Sequence, residues 1–83
     1  MIMPEMFFFI EEIILRHVQL ELSPIISLDT KLTEDLGFDS LNFIDLMTDV
    51  EKEFNINISH EEIEDIQTVD DLTNLVYNKL SEK

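Results

Sequence analysis

The sequence predicts an all-α protein: a four-helix bundle with three longer helices, one short helix and a long loop between the first and second helices. Two observations carry this prediction. Apolar residues recur at helical spacing in long segments, and the chain contains only one Gly and two Pro to interrupt a helix. Because 83 residues suffice for one compact core, residues 1–83 are expected to form a single domain.

The first helix is expected to run from Pro4, which suits a first turn, to about Leu20, before Ser23-Pro24 stops it. Phe8 and Leu15 fall outside its apolar arc. They are either ordinary exposed side chains or part of a second contact surface. The arc itself consists of Met6, Phe7, Ile10, Ile13, Ile14, Val18 and Leu20.

The long loop over residues 21–38 carries several apolar side chains, which must be pinned against the core. Within it, Thr33 is expected to cap a short helical turn that Gly37 ends. The second helix is expected from Ser40 to Phe54, with Asp39 or Ser40 itself as the cap. Its apolar stripe consists of Phe43, Leu46, Met47, Val50 and Phe54.

Two further helices are indicated by their start signals. Ser59 and Glu62 have the spacing of a capping box, which predicts a short helix over about residues 60–65. Thr68 or Asp70 is expected to cap the last helix, which continues to about Leu80.

The charge is strongly one-sided, with 19 Asp and Glu against 5 Lys and Arg, a formal net charge of −14. Binding to nucleic acid is therefore not expected, because it requires a cationic surface. The acidic surface either attracts proteins with Lys/Arg patches or serves only solubility. The chain has no cysteine and no apolar run long enough to span a membrane, so a cytoplasmic location is predicted.

Intrinsic catalysis is not indicated, and no catalytic residue is predicted. His17 and His60 lie on different helices, and there is no Gly-rich phosphate loop. His17 is expected to be a hydrogen-bonded, partly buried side chain. An EF-hand calcium loop starting at Asp35 would need an oxygen ligand at its third position and Gly at its sixth. The sequence has Gly37 and Ser40 there, so no metal site is predicted.

The segment Glu34-Asp35-Leu36-Gly37-Phe38-Asp39-Ser40-Leu41 carries the clearest functional signal. It resembles the phosphopantetheine attachment motif of the acyl carrier protein family, and the likeness continues through the helix pattern from Leu32 to Leu80. The resemblance implies a right-handed four-helix bundle in which Ser40 bears a 4′-phosphopantetheine arm derived from coenzyme A. Gly37, Asp39 and Leu41 would flank that attachment point.

Physical chemistry supports the same interpretation of Ser40. A hydroxyl at a helix start is exposed, and a phosphodiester there would meet free amide donors and the positive end of the helix dipole. Gly37 would let the chain turn sharply, and Asp39 would cap the helix beside the serine. The alternative is that Asp39 and Ser40 form only the cap of an ordinary helical bundle.

The resemblance also implies that the helix after Ser40 is a docking surface for partner enzymes. Asn42, Thr48 and Lys52 depart from the residues common in fatty-acid carriers, and Phe38 is bulkier than usual, which leaves room for a specialised pathway. Carried over by position, the docking surface consists of Asp39, Leu41, Asn42, Ile44, Asp45, Thr48, Glu51 and Lys52.

The predicted function is that of a monomeric acyl carrier protein, not an enzyme, holding acyl thioesters in fatty acid, polyketide or related specialised biosynthesis. Its expected partners are a phosphopantetheinyl transferase (holo-carrier synthase), an acyl- or aminoacyl-loading ligase, and a ketosynthase or acyltransferase with a basic docking patch. A peptidyl or D-alanyl carrier and an acidic helical interaction module without a prosthetic group remain as alternatives. The cargo could lie among Phe43, Leu46, Met47, Val50, Ile63, Ile66 and Val69, although each is also explained as core.

Overall fold

A computed structural model describes residues 3–18 and 25–82, and in this part of the chain it contains four helices and no β-strand. The all-α prediction with one short helix is therefore confirmed. None of these helices has the length and apolar character needed to cross a membrane. The helices are α1 (Met3–Arg16), α2 (Ser40–Phe54), α3 (His60–Glu64) and α4 (Val69–Ser81).

The end of α1 differs from the prediction. The helix ends at Arg16, so the expected continuation to about Leu20 was wrong. The last turn tightens because the amides of residues 17 and 18 bond to carbonyls three positions earlier, as in the 2.9 Å bond from His17 N to Ile14 O. Leu20 and the predicted stop at Ser23-Pro24 lie outside the described residues.

The core forms where one face of α1 packs against α4 and α2. Burial of one large apolar side chain stabilises a fold by about 1.5–3 kcal/mol, so this shared interior is the main support of the bundle. The buried apolar residues are Met6, Ile10, Ile13, Ile14, Ile26, Leu32, Phe38, Leu46, Met47, Val50, Ile56, Ile58, Ile66, Val69, Leu72 and Val76.

Helix α2 has the predicted bounds, and its cap is Asp39 rather than Ser40. At the other end, Asn55 adopts the left-handed conformation (φ 54°), which Asn tolerates better than most residues. The Glu51 carboxylate then accepts a hydrogen bond from Ile58 N at 2.9 Å. The side chain of Glu51 in α2 thus fixes the segment between α2 and α3 at Ile58.

Capping boxes start both α3 and α4. The predicted box of Ser59 and Glu62 is present, and their reciprocal hydrogen bonds are 2.9 and 3.2 Å long. At α4 the cap is Thr68 rather than Asp70, and its reciprocal partner is Asp71. Local hydrogen bonds therefore fix where each helix begins.

The loop before α2 is pinned to the start of α4 by backbone hydrogen bonds. The expected burial of its apolar side chains is confirmed for Ile26 and Leu32, but it was wrong for Ile25 and Leu28, which are exposed. Leu32 N donates to Gln67 O, and Val69 N donates to Thr30 O, each at 2.9 Å.

The expected Thr33 cap was wrong, since Asp35 accepts from Lys31 N at 2.8 Å and closes the turn over residues 31–36 instead. The Asp35 carboxylate, four residues after Lys31 in the chain, therefore satisfies the Lys31 amide.

The two capping carboxylates are held in their charged form by backbone donors. The N–H groups of Gln67 and Thr68 lower the pKa of Asp71 below its usual 3.8. The Ser59 N–H group, helped by Lys79, lowers the pKa of Glu62 below its usual 4.5. A lowered folded-state pKa adds stability that is present above the unfolded-state pKa and lost as the pH falls through the folded one.

We expect Asp71→Asn to lower the free energy of unfolding at neutral pH, by under about 1 kcal/mol because the carboxylate is largely exposed. The difference from wild type should shrink as the pH is lowered from neutral through the depressed pKa of Asp71, because the wild-type carboxyl group then also becomes neutral. Urea denaturation across this pH range measures it. Glu61→Gln removes the same charge without touching a capping box and is the control. A constant Asp71→Asn difference at all pH values would contradict the prediction.

Candidate functional site

The segment leading into α2 makes a sharp turn at the predicted glycine. Gly37 has φ +74°, a conformation that strains other residues, and its N–H donates to Thr33 O at 3.1 Å. The next residue, Phe38, is buried and donates from its backbone to Leu32 O at 3.2 Å. The turn thus anchors Phe38 in the core and delivers the chain to the start of α2.

Asp39 fixes the first turn of α2. It is extended (φ −91°, ψ −177°), and its Oδ1 atom accepts from Asn42 N at 2.9 Å. Ser40 is then the first helical residue, and its side chain is exposed. The sequence motif therefore places the Ser40 hydroxyl in solvent at the N-terminal end of a fifteen-residue helix.

The surroundings of Ser40 suit a phosphodiester. In the described part of the chain, no acceptor is bonded to the backbone amides of Ser40 and Leu41. These amides and the positive end of the helix dipole favour an anion at this position. A phosphopantetheine group would fit here, because attachment through the hydroxyl would leave a negatively charged phosphate beside these amide donors.

Ser40 has no activating base of its own. Within the described residues nothing is hydrogen-bonded to its hydroxyl, and His60 is paired with Glu64 at 3.2 Å instead. A serine without a base is a weak nucleophile. Among the described residues, the Ser40 hydroxyl thus has no hydrogen-bond partner that would activate it.

An open groove of about 510 Å³ runs past Ser40 between α2 and α3. Of the residues considered as cargo contacts, Phe43, Ile63 and Ile66 line it, whereas Leu46, Met47, Val50 and Val69 are core. His60 and Glu64 lie at the groove and were missed from the sequence. The lining residues are Thr33, Phe38, Asp39, Ser40, Phe43, Ile44, His60, Ile63, Glu64 and Ile66.

The predicted docking residues are mostly on the outside of α2. Leu41 is 71% exposed and Ile44 is 44% exposed, and their i, i+3 spacing puts both on one side of the helix. Glu51 is half-buried and is already bonded to Ile58 N. The other predicted docking residues, Asp39, Asn42, Asp45, Thr48 and Lys52, are exposed.

The acids at the C-terminal end of α2 are partly neutralised by α1. Arg16 contacts Asp49 at 3.4 Å and Glu53 at 3.0 Å. His17 Nε2 lies 3.0 Å from Asp49 Oδ2, which confirms the expectation of a hydrogen-bonded, half-buried histidine. Near Ser40, in contrast, the exposed carboxylate of Asp45 has no cation within ion-pair distance among the described residues.

Comparison with known proteins identifies the fold and the motif together. The family model described as "Phosphopantetheine attachment site" matches residues 10–76. An acyl carrier protein of Petrotoga mobilis is 38% identical over 77 residues, which cover 93% of this chain and 89% of that protein. An acyl carrier protein of onion yellows phytoplasma is 43% identical over 63 residues, covering 76% of this chain and 82% of that protein.

A solved structure agrees with these matches. The crystal structure of an acyl carrier protein from Thermotoga maritima superimposes with a TM-score of 0.68 at 33% identity, and the match covers 88% of this chain and 92% of that one. Proteins of this family are carriers rather than enzymes, and they interact with a phosphopantetheinyl transferase and with biosynthetic enzymes. Their prosthetic group is a covalently attached 4′-phosphopantetheine. The chain belongs to the acyl carrier protein family.

Proposed function

We propose that Ser40 is the residue that bears the 4′-phosphopantetheine arm, and that the chain carries acyl intermediates as thioesters. The observation that carries this proposal is an exposed hydroxyl on the first residue of α2, beside unpaired helix amides and an apolar groove. When attached, the arm supplies a thiol to which an acyl group is joined.

The residues around Ser40 have separate parts in this function. Asp39 holds the first turn in place through its bond to Asn42 N, so the hydroxyl has a fixed position for the transferase. Ser40 Oγ forms the new bond to phosphorus and loses its proton to the transferase, while the remainder of coenzyme A leaves. The amides of Ser40 and Leu41 then face the phosphodiester and stabilise its charge.

The groove offers the cargo an apolar surface close to the attachment point. Phe43, Ile63 and Ile66 line it, whereas Leu46 and Met47 of the same helix α2 are almost completely buried in the core. An acyl chain that folds back from the arm would cover apolar side chains and remove its own surface from water. The groove is open, so a partner enzyme can withdraw the chain.

Partner enzymes are proposed to dock on α2 next to the arm. Exposed Leu41 and Ile44 supply apolar contacts, and Asp45 supplies a carboxylate for a Lys or Arg of the partner. The proposed partners are the transferase, a loading ligase, and a ketosynthase or acyltransferase, in fatty acid, polyketide or related biosynthesis in the cytoplasm. The full proposed surface is Asp39, Leu41, Asn42, Ile44, Asp45, Thr48, Glu51 and Lys52.

Intact-mass measurement tests the proposal. The chain is incubated with coenzyme A and a promiscuous phosphopantetheinyl transferase, and it should gain the mass of one phosphopantetheine group. Peptide mapping should place the gain on Ser40. If the mass does not change while a known carrier in the same tube is modified, the proposal is wrong and the chain acts as an interaction module.

Loading of the modified chain with acyl but not aminoacyl groups would separate an acyl carrier from a peptidyl or D-alanyl carrier.

A further inference from the structure

Helix α1 exposes large apolar side chains on the side that faces away from the core. Phe8 is 65% exposed, Phe9 is 48% exposed and Leu15 is 39% exposed. With about 100° of rotation per residue, they share one side of the helix with Glu5 and Glu12. These five residues are called the α1 face below.

The α1 face combines apolar surface with unpaired negative charge. Glu5 and Glu12 are exposed, and in residues 3–18 and 25–82 no cation lies within ion-pair distance of either. Arg16 lies on the same side of the helix, but its charge is shared between Asp49 and Glu53. The surface therefore suits a ligand that is both apolar and cationic.

A small pocket beside the α1 face can hold one side chain. Its volume is about 150 Å³. It is lined by the apolar side chains of Phe9, Ile13 and Phe54 and by three charged ones, Glu12, Arg16 and Glu53. Arg16 is paired with Glu53 at 3.0 Å. An apolar side chain in the pocket would place a neighbouring Lys or Arg close to Glu12, which has no cation within ion-pair distance among the described residues.

The α1 face is separate from the proposed docking surface on α2. Its pocket reaches the C-terminal end of α2 at Phe54, whereas Ser40 is at the other end of that helix, about 20 Å away. Phe8 and Phe9 also lie before residue 10, where the match to the family model begins. Attachment of the arm and docking on α2 therefore do not account for these side chains.

We infer that the α1 face is a second docking surface, which binds a basic amphipathic segment of a partner protein. Apolar side chains of that segment cover Phe8, Phe9 and Leu15, and its Lys or Arg residues pair with Glu5 and Glu12. A second copy of this chain is a poor occupant, because two molecules of net charge −14 repel each other. A partner bound here holds the carrier while the Ser40 end stays accessible to other enzymes.

Peptide titration tests this inference. The probe is a synthetic helix of leucine and lysine with leucines at i, i+3, i+4 and i+7, added to the ¹⁵N-labelled full chain. The largest amide shift changes should fall on residues 5–16 and around Phe54, and binding should weaken with added salt. The same peptide with glutamate in place of lysine should not bind.

Matched variants separate the two surfaces. The double change Phe8→Ala and Leu15→Ala should weaken binding of the lysine peptide at least tenfold, about 1.4 kcal/mol, whereas Leu41→Ala with Ile44→Ala should not alter it. All four side chains are exposed, so thermal melting should show folded protein in both variants.

Three results would overturn the inference. The first is a set of shift changes centred on α2, and the second is equal binding of the glutamate peptide. The third is a concentration-dependent dimer of the chain alone in sedimentation that the change at Phe8 and Leu15 abolishes, because it would assign the α1 face to a second copy.

Discussion

Ser40→Ala should abolish attachment of phosphopantetheine completely and leave the four helices intact. The loss is complete because the phosphodiester needs the hydroxyl oxygen that alanine lacks. The fold is kept because Ser40 is exposed and the cap of α2 is Asp39. Intact-mass measurement after incubation with coenzyme A and a transferase shows the loss, and circular dichroism shows the helices.

Ser81→Ala is the matched control for this change. Ser81 is also an exposed helical serine, and its hydroxyl donates only to Tyr77 O of the same helix among the described residues. The Ser81→Ala chain should gain the full mass of the arm. If the Ser40→Ala chain still gains that mass, another residue is the acceptor and the assignment of Ser40 is wrong.

Leu46→Ala should cause the largest loss of stability by a single truncation on α2. Leu46 is 0% exposed, and removing a fully buried leucine side chain costs about 2–5 kcal/mol. A domain of this length has a total free energy of unfolding of only about 4–12 kcal/mol. The variant is therefore expected to be partly unfolded at 37 °C. Urea denaturation followed by circular dichroism measures the change.

Leu41→Ala is the control on the same helix, because Leu41 is 71% exposed. Its free energy of unfolding should change by less than about 0.5 kcal/mol. Equal losses in the two variants would show that the packing assigned to Leu46 is wrong. The pair also separates core from docking surface, since only Leu41 is proposed to contact a partner.

Local signals predicted the helix starts well, because the bonds that fix a start are local. Asp39, Ser59 and Thr68 each accept from an amide three residues ahead, a spacing visible in the sequence. The end of α1 was not predictable in this way. Apolar residues continue at helical spacing past Arg16, but the helix ends at Arg16. At this point the side chains of Arg16 and His17 contact Asp49 of α2.

Only the part of the site that consecutive residues form was predicted from the sequence. The turn at Gly37, the cap at Asp39 and the exposed Ser40 all follow from one motif. The groove could not be derived, because it depends on how α3 lies against α2. Periodicity therefore did not distinguish Phe43, which lines the groove, from Leu46, which is buried in the core.

The pinned loop has a consequence for the timing of modification during protein synthesis. Bonds from Leu32 N to Gln67 O and from Val69 N to Thr30 O join segments that the ribosome makes far apart in time. Such distant pairing forms late in folding, because a long loop must close first. The loop that leads to Ser40 can be pinned to the start of α4 only after residues 67–69 have emerged. A transferase that recognises the pinned loop would therefore act only after residues 67–69 have been made.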